Sequence, residues 1–407
     1  MDIATYVNSM RDPAGLPFYP IIFQFLLVLT FAMHITMVNL VVGSTFVAIW
    51  EMWKKNEYGL RLAKALGRVL TVGMSIAIVL GVAPLLFVQV IYDPFWYTAT
   101  TLSAFWALMF LVVITLAFYA GYGFYLGNRN ADTNSAKTVW ALVAGALLLV
   151  TALLIHMLSM EQLMPQHWKD WIVSANGSVS YAGGEFHGIE FGRLLHFLLP
   201  SFSVTGVFLM LYAAYFKDRE DYDKDYVNYV GQKGAWMALW ASALAIGAGF
   251  WWLGLIPSDF HFARNPLFLL GAAMGVATTA FIGSSIYKPK ERAIPAALMM
   301  FGTIFVMCCA REALRMKHMS QAGYSIYNYP VNADWPSTIL FFATFIMGLF
   351  VLYFPAVAAF QAGRVKAGQV ATLDPSIGRK AVSVMIGWFV IVAGLGIIVS
   401  IKNGVLF

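Results

Sequence analysis

The sequence has few of the residues from which soluble proteins build surfaces and cross-links. Only 11% of its 407 residues are charged, whereas a soluble globular chain carries about 25%. The only two cysteines, Cys308 and Cys309, are adjacent in an apolar run, which excludes a disulfide framework and a thiolate metal cage. No Cys-x-x-Cys-His motif occurs, so the chain carries no covalent c-type haem. Phosphate-binding loops, nucleophile triads and zinc motifs are also absent.

The sequence instead contains long runs of hydrophobic residues. Hydrophobic residues make up 60% of the chain, and a membrane-spanning helix needs about 20 of them in succession. We therefore expect an all-α, polytopic membrane helix bundle in a single membrane domain, 1–407, with a retained first helix. The ten predicted spans are 18–50, 68–92, 97–127, 136–164, 189–216, 234–256, 265–287, 293–314, 336–361 and 381–401.

Basic residues predict the orientation of these spans. Of the 26 Lys and Arg, 18 fall in alternate connections, namely 51–68, 128–137, 217–233, 288–292 and 363–380. Cytoplasmic connections carry such an excess, so these are predicted to be cytoplasmic and both termini periplasmic. The same distribution explains the net charge of +6 without any nucleic-acid partner.

In this topology all seven histidines fall in the outer half of the molecule. His167, His187, His261 and His318 lie in or beside outer connections, whereas His34, His156 and His196 lie inside spans at a similar depth. An ionisable residue inside a span indicates a functional site by default, although a lone histidine can also be an ordinary hydrogen-bonding residue. Three at one depth favour ligands, with His196 as the leading candidate.

Imidazole ligands in a bundle with few carboxylates suit a haem iron better than Ca²⁺ or Mg²⁺. Arg193, Arg311 and Arg315 lie at the outer ends of the fifth and eighth spans. They could bind haem propionates, because guanidinium pairs bidentately with carboxylate. Glu312 is predicted either to neutralise the arginines beside it or to approach a second haem.

Several short motifs resemble subunit I of the cytochrome bd quinol oxidases over roughly residues 20–320. The first two spans contribute Gln24-Phe25, Met33-His34, Gly43 to Glu51, Ala65-Leu66-Gly67-Arg68, Gly81 and Phe87 to Gln89. The fifth span, from Arg193-Leu194-Leu195-His196 through Thr205-Gly206 to Tyr215, resembles the family's low-spin haem helix. Arg311-Glu312-Ala313 resembles the family's helix with a haem-facing glutamate.

The resemblance implies ligands for the haem iron. His196 and Met274 would ligate a low-spin haem b, and His34, with Glu312 near it, would serve a high-spin haem. His156 matches no ligand of the family and remains an additional candidate, either as part of a haem wall or as core. One to three b-type haems are expected.

Other features differ from the family. The run from Trp96 to Leu126 contains no Asp or Glu, where the family has two carboxylates for proton delivery. The outer loop 257–265 is short where the family binds quinol, and no Gly-Arg-Gln-Pro-Trp run follows Glu312. Helices 336–401 extend a family-like core of about 18–320. These differences argue against quinol oxidation in the outer loop that the family uses, against rapid oxygen reduction, and against haem d.

The sequence therefore predicts a haem b-binding cytochrome subunit of the bacterial inner membrane, crossing it many times. It would transfer electrons between a quinol or a periplasmic c-type cytochrome and a second membrane subunit. One alternative is a terminal oxygen reductase core with an altered proton path. A further alternative is a haem-free transporter or assembly subunit whose histidines only form hydrogen bonds.

Overall fold

The computed structural model describes residues 2–129, 138–173, 177–179 and 182–405. Within these ranges the regular structure is helical, with four short 3-10 turns and isolated bridges between Leu16 and Val331 and between Val173 and Val179. The helices are α1 Ile3–Ser9, α2 Pro20–Lys54, α3 Glu57–Ile91, α4 Asp93–Leu102, α5 Ala104–Asn128, α6 Thr138–Glu161, α7 Trp168–Ile172, α8 Phe191–Leu198, α9 Pro200–Phe216, α10 Lys224–Leu255, α11 Pro266–Ser284, α12 Ala293–Gln321, α13 Trp335–Ala362 and α14 Pro375–Lys402.

Ten helical segments of the described chain are long and apolar enough to cross a membrane. They are α2, α3, α5, α6, α8 with α9, α10, α11, α12, α13 and α14. The prediction of an all-α chain with ten spans is confirmed at this level. Large apolar side chains are exposed along these helices, as Val79 and Leu298 illustrate. Such surfaces are expected where lipid rather than water surrounds a helix.

The connection between the first two spans is much shorter than the sequence predicted. The basic segment 51–68 was expected to be a loop, yet only Lys55 and Asn56 separate α2 from α3. Lys55 adopts a left-handed conformation with φ 53°, and the Asn56 side chain accepts a hydrogen bond of 2.6 Å from the Gly59 amide. This is an ordinary N-cap. Charged residues limit the part of a helix that can lie in the membrane, but the helix itself can continue through them.

The fifth span breaks just after His196. Pro200 has no amide hydrogen, so it cannot donate the helical hydrogen bond that the His196 carbonyl would normally accept. The chain therefore divides into α8 and α9 at Leu199. His196 consequently lies near the end of a short helix rather than in the middle of a long one.

The first compact unit comprises Met1–Ala214 and Lys224–Val331. It contains two groups of four spans. In the first, α2, α3, α5 and α6 pack in a ring; in the second, α8–α9, α10, α11 and α12 pack in sequence, and α12 also packs on α2. Gly206 of α9 and Gly234 of α10 allow a close approach, because a Cβ on either would lie 2.5 Å from the carbonyl oxygen of the other. Small residues serve the same purpose at many membrane helix contacts.

The second compact unit comprises Tyr215–Asp223 and the chain from Asn332 onward. Its two long helices, α13 and α14, pack against each other. The Tyr215 hydroxyl donates a 2.5 Å hydrogen bond to the Phe360 carbonyl, and Arg219 donates one of 2.8 Å to the carbonyl of Gly363. These bonds hold the segment Tyr215–Asp223 to the end of α13.

A buried ion pair joins α2 to α10 in the first unit. Glu51 is fully buried and pairs with Lys233, and it also accepts the hydroxyl of Tyr229. Removing one partner of a buried pair leaves an uncompensated charge, which typically costs about 3–5 kcal/mol.

We therefore expect Glu51→Ala to lower the melting temperature of the purified protein clearly, as measured by thermal unfolding in detergent. Glu220→Ala, which removes an exposed carboxylate, is the control. Equal melting temperatures for the two variants would contradict this role of the pair.

Candidate functional site

His196 is held in the orientation of a metal ligand. Its Nδ1 lies 3.0 Å from the carbonyl oxygen of Ala245 on α10. Because a carbonyl can only accept, Nδ1 must carry the hydrogen, which leaves a lone pair on Nε2. Nε2 has no hydrogen-bond partner among the described residues. A metal-binding histidine commonly has its tautomer and ring orientation fixed by such a bond.

A glycine makes room for this ring. A Cβ at Gly249, one turn after Ala245, would lie 2.9 Å from both Cε1 and Nδ1 of His196. Real Cβ atoms do not approach that closely, so the imidazole rests directly on the backbone of α10. The ring is thus positioned by a carbonyl and a glycine four residues apart on one helix.

His34 has the same arrangement in the other half of the unit. Its Nδ1 lies 2.9 Å from the carbonyl oxygen of Ala77 on α3. A Cβ at Gly81, four residues later, would lie 2.8 Å from Cε1 of His34. Both histidines therefore rest on an Ala-x-x-x-Gly sequence in a neighbouring span, and both keep Nε2 available. The four-residue spacing follows from helix geometry, because a ring that reaches the carbonyl of residue i lies against residue i+4; what the two sites share is a glycine at that position.

A cavity of about 180 Å³ opens beside His196. It is enclosed by α2, α8–α9, α10, α11 and α12, and its walls are mostly apolar, including Phe197, Trp252, Phe268 and Met307. Arg311 also lines it. An apolar cavity with a few convergent polar groups is the usual form of a cofactor site.

Among the described residues, three arginines of α8 and α12 carry buried N–H groups without a hydrogen-bond partner. The buried atoms without a hydrogen-bond partner include Nε and Nη1 of Arg193, Nε of Arg311 and Nη1 of Arg315. The three guanidinium groups also repel one another electrostatically. The carboxylates nearest to them are Glu190, which attracts Arg193, and Glu312, whose Oε2 lies 3.6 Å from Nη1 of Arg315. Buried N–H groups without a hydrogen-bond partner are costly, so this cluster suits an added anion.

Glu312 belongs to a hydrogen-bond network between the start of α2 and the last third of α12. Its Oε1 accepts the hydroxyl of Tyr92 and, at 3.3 Å, the side-chain amide of Gln24. Gln24 in turn accepts the hydroxyl of Tyr327 at 2.8 Å. Burial, reinforced by the charge of Glu312, raises the pKa of Tyr92 well above its usual value. Tyr92 therefore keeps its proton and remains a donor to Glu312.

His156 is engaged differently from His34 and His196. Its Nε2 accepts a 3.1 Å hydrogen bond from the backbone amide of Glu190, so that lone pair is already used. Among the outer histidines, His187 lies with Nδ1 3.0 Å from the buried carboxylate of Glu161. Trp171 stacks between His187 and His167. The structure brings neither His156 nor these residues to the cavity of His196.

Met274, the ligand implied by the family resemblance, is not among the residues that line the cavity. Its carbonyl accepts a 3.4 Å hydrogen bond from Thr303. Its methyl group lies beside Gly302, 3.3 Å from where a Cβ would be. Met274 thus packs between α11 and α12. Met307 and Met300 of α12 line the cavity instead.

The sequence predicted the two histidines and the arginines as candidates, but it did not reveal what holds the histidines. The Ala-x-x-x-Gly sequences that end at Gly81 and Gly249 are ordinary in membrane helices. They gain meaning only when each is paired with a histidine at the same depth in an adjacent span. That depth comparison was possible from the sequence, whereas the choice of neighbouring helix required the structure.

The chemistry of the residues present suits haem. Two imidazoles offer Nε2, the cavity beside one of them is apolar, and unpaired guanidinium groups suit propionates. Within the described residues, no group of three or more His, Cys, Asp or Glu side chains is arranged to hold a metal ion.

No model of a known protein family matches the chain, and no curated protein sequence matches it.

Proposed function

We propose that this chain is a b-type haem-binding membrane cytochrome subunit that carries electrons between an external carrier and a membrane partner. The observation behind the proposal is the matched support of His34 and His196. Each imidazole donates Nδ1–H to a backbone carbonyl and rests on a glycine four residues later. This support presents Nε2 in the way that a haem iron requires.

The other residues have complementary roles in this proposal. Arg193, Arg311 and Arg315 would bind propionates through their unpaired N–H groups. Aromatic and aliphatic walls would exclude water from the cavity of His196. Bound haem would supply one-electron chemistry, which no side chain of the cavity supplies by itself.

A chain of contacts links the two histidine sites. The ring of Phe31 lies 6.3 Å from that of His34, and its face lies 4.2 Å from the guanidinium carbon of Arg311. Arg311 lines the cavity of His196. One phenyl ring and one guanidinium therefore connect the two sites, which supports electron transfer between them.

Location and partners complete the proposal. The excess of Lys and Arg in alternate connections favours a bacterial inner membrane with both termini periplasmic. The sites then lie on the outer side, where a periplasmic c-type cytochrome or a quinol could deliver or accept electrons. A second membrane subunit would complete the electron path.

A second candidate function is oxygen reduction at the His34 site. The observation that favours it is the buried carboxylate of Glu312, whose Oε1 is linked through Gln24 to the half-exposed Tyr327. Such a network could move protons during chemistry at a haem. Electron transfer alone has no need of it.

A reduced-minus-oxidised absorption spectrum of the purified chain tests the proposal. We expect b-type bands and a pyridine haemochrome assay that reports at least one non-covalent haem for each chain. Absence of haem bands in protein that is folded and monodisperse would contradict both candidate functions and favour a transporter or assembly role. Intact bands without consumption of oxygen or nitric oxide would favour electron transfer over oxygen reduction.

A further inference from the structure

We propose that Glu185, His187 and Glu161 form a proton-loading site at the end of α6. In this site the imidazole passes a proton between an exposed carboxylate and a buried one. None of the three residues lines the cavity of His196, and none binds haem in the proposed function. The proton-loading site therefore goes beyond that function and does not depend on it.

The three side chains differ sharply in exposure. Glu185 is 65% exposed, whereas the side chain of His187 is 9% exposed and that of Glu161 is fully buried. Nε2 of His187 lies 3.4 Å from Oε2 of Glu185, and Nδ1 lies 3.0 Å from Oε1 of Glu161. The ring therefore connects the solvent to the interior through its two nitrogens. Histidine suits this role because it gains and loses a proton near neutral pH.

Glu161 lacks the partners that a permanently ionised buried carboxylate needs. Its Oε1 accepts the hydroxyl of Ser103 at 2.6 Å and faces His187, but Oε2 is buried without a hydrogen-bond partner. Among the described residues, no lysine or arginine forms an ion pair with it, whereas the buried Glu51 pairs with Lys233. A buried charge without a permanent counter-charge is costly. Binding a proton would remove that cost.

The segment that carries Glu185 and His187 is held against the start of α5. The indole Nε1 of Trp106 donates a 2.8 Å hydrogen bond to the carbonyl of Gly184. The ring of Trp106 also packs edge-on against Phe186, with 4.6 Å between ring centroids. Alternate residues of the segment thus contact Trp106, while Glu185 and His187 lie close to each other.

Other charged groups do not replace these partners. Trp171 of α7 stacks on the ring of His187 at 4.7 Å, and Trp168 donates a 2.8 Å hydrogen bond to the carbonyl of Glu161. In the described chain no further charged side chain forms an ion pair with the proton-loading site. The charged residues and histidines on the elements packed around it are His167, Lys169 and Asp170 beside α7, Asp93 of α4, His34, Glu51 and Lys54 of α2, and His156 of α6.

Loading moves one proton and changes no oxidation state. A carboxylate can only accept, so Nδ1 of His187 carries the hydrogen while Glu161 is ionised, and Nε2 has a free lone pair. Glu185 takes a proton from the solvent and donates it to Nε2 when its exposed side chain rotates across the 3.4 Å gap. Nδ1–H then passes its proton to Oε1 of Glu161, which becomes a neutral carboxyl. The reverse steps unload it.

Infrared spectroscopy of the purified protein during exchange from H₂O to D₂O tests the proton-loading site. The carboxyl band that is missing from Glu161→Gln identifies Glu161. In the wild type we expect this band to appear as the pH falls and to shift as soon as D₂O is added. The glutamine of His187→Gln can still donate a hydrogen bond to Glu161 but cannot pass on a proton, so the shift should slow by about 100-fold. Glu185→Gln should slow it less, because water can also reach Nε2.

His167→Gln is the matched control. Its ring stacks on Trp171, as that of His187 does, but within the described residues it forms no ion pair with a carboxylate. Its exchange rate should equal that of the wild type. A second test uses His187→Ala, in which added imidazole should restore fast exchange, because the free base occupies the space of the missing ring. Gel filtration and thermal unfolding would verify that each variant is folded.

Four outcomes would overturn the proton-loading site. They are a wild-type rate in His187→Gln, a slowed rate in His167→Gln, no effect of imidazole on His187→Ala, and absence of a Glu161 carboxyl band at every pH at which the protein stays folded. Absence of haem would instead contradict the proposed function, and the exchange measurements would be unaffected. The two failures are therefore distinguishable.

Discussion

Replacing His196 with alanine should abolish the low-spin b-type signal in the reduced-minus-oxidised spectrum. Among the described residues that line the cavity, only the imidazole offers a free nitrogen lone pair, since Arg311 is a cation, the indole nitrogen of Trp252 is a donor, and the amide of Asn39 is a poor ligand. Without it, the cavity retains apolar walls but no nitrogen ligand. Spectra of protein purified by gel filtration would measure the loss.

Two further measurements separate a ligand from a merely structural residue. Imidazole added to His196→Ala should restore part of the low-spin signal, because the substitution leaves space for the free base. Gly249→Ala should weaken the signal without removing the ligand, since its Cβ would press on the ring. Gly254→Ala on the same helix, where a Cβ meets nothing within 4 Å, is the matched control.

His261→Asn is the control for histidine loss at an exposed position. His261 has φ 48°, and asparagine tolerates that left-handed conformation better than alanine does. Its spectrum should match the wild type. If His196→Ala also kept an unchanged low-spin signal, the ligand would lie elsewhere, and His156 would be the next candidate.

The spans could be predicted because lipid imposes one strong rule on the sequence. Backbone groups in hydrocarbon must be satisfied internally, so long apolar runs become helices. The rule says nothing about where a helix stops outside the bilayer. For this reason α3 extends back to Glu57 through a segment that hydropathy alone assigned to a loop. The break at Leu199 follows from Pro200, although 189–216 was predicted as one uninterrupted span.

The candidate site shows a different limit. His34, His196 and the three arginines could be selected because ionisable residues are rare and costly within spans. Met274 could not be selected in this way, because methionine is abundant in the chain, with 20 residues. Which methionines line the cavity depends on packing between α11 and α12, and Met300 and Met307 of α12 do so. Met274 as a ligand stays a prediction of the family resemblance.

Loss of His34 should remove a second haem without affecting the first. If each histidine serves its own haem, His34→Ala and His196→Ala should each lower the haem content by one per chain, as measured by pyridine haemochrome and protein mass. The double variant should lose both. Additive loss is expected because the ligands and their supporting carbonyls are separate, at Ala77 and Ala245.

Gly81→Ala should act in the same direction as His34→Ala but more weakly, because its Cβ would meet Cε1 of His34 at 2.8 Å. Unchanged haem content in His34→Ala, with the low-spin signal intact, would leave His34 as a hydrogen-bonding residue of the α2–α3 contact. The matched support of the two histidines would then be a packing motif, and only the His196 site would remain a haem site.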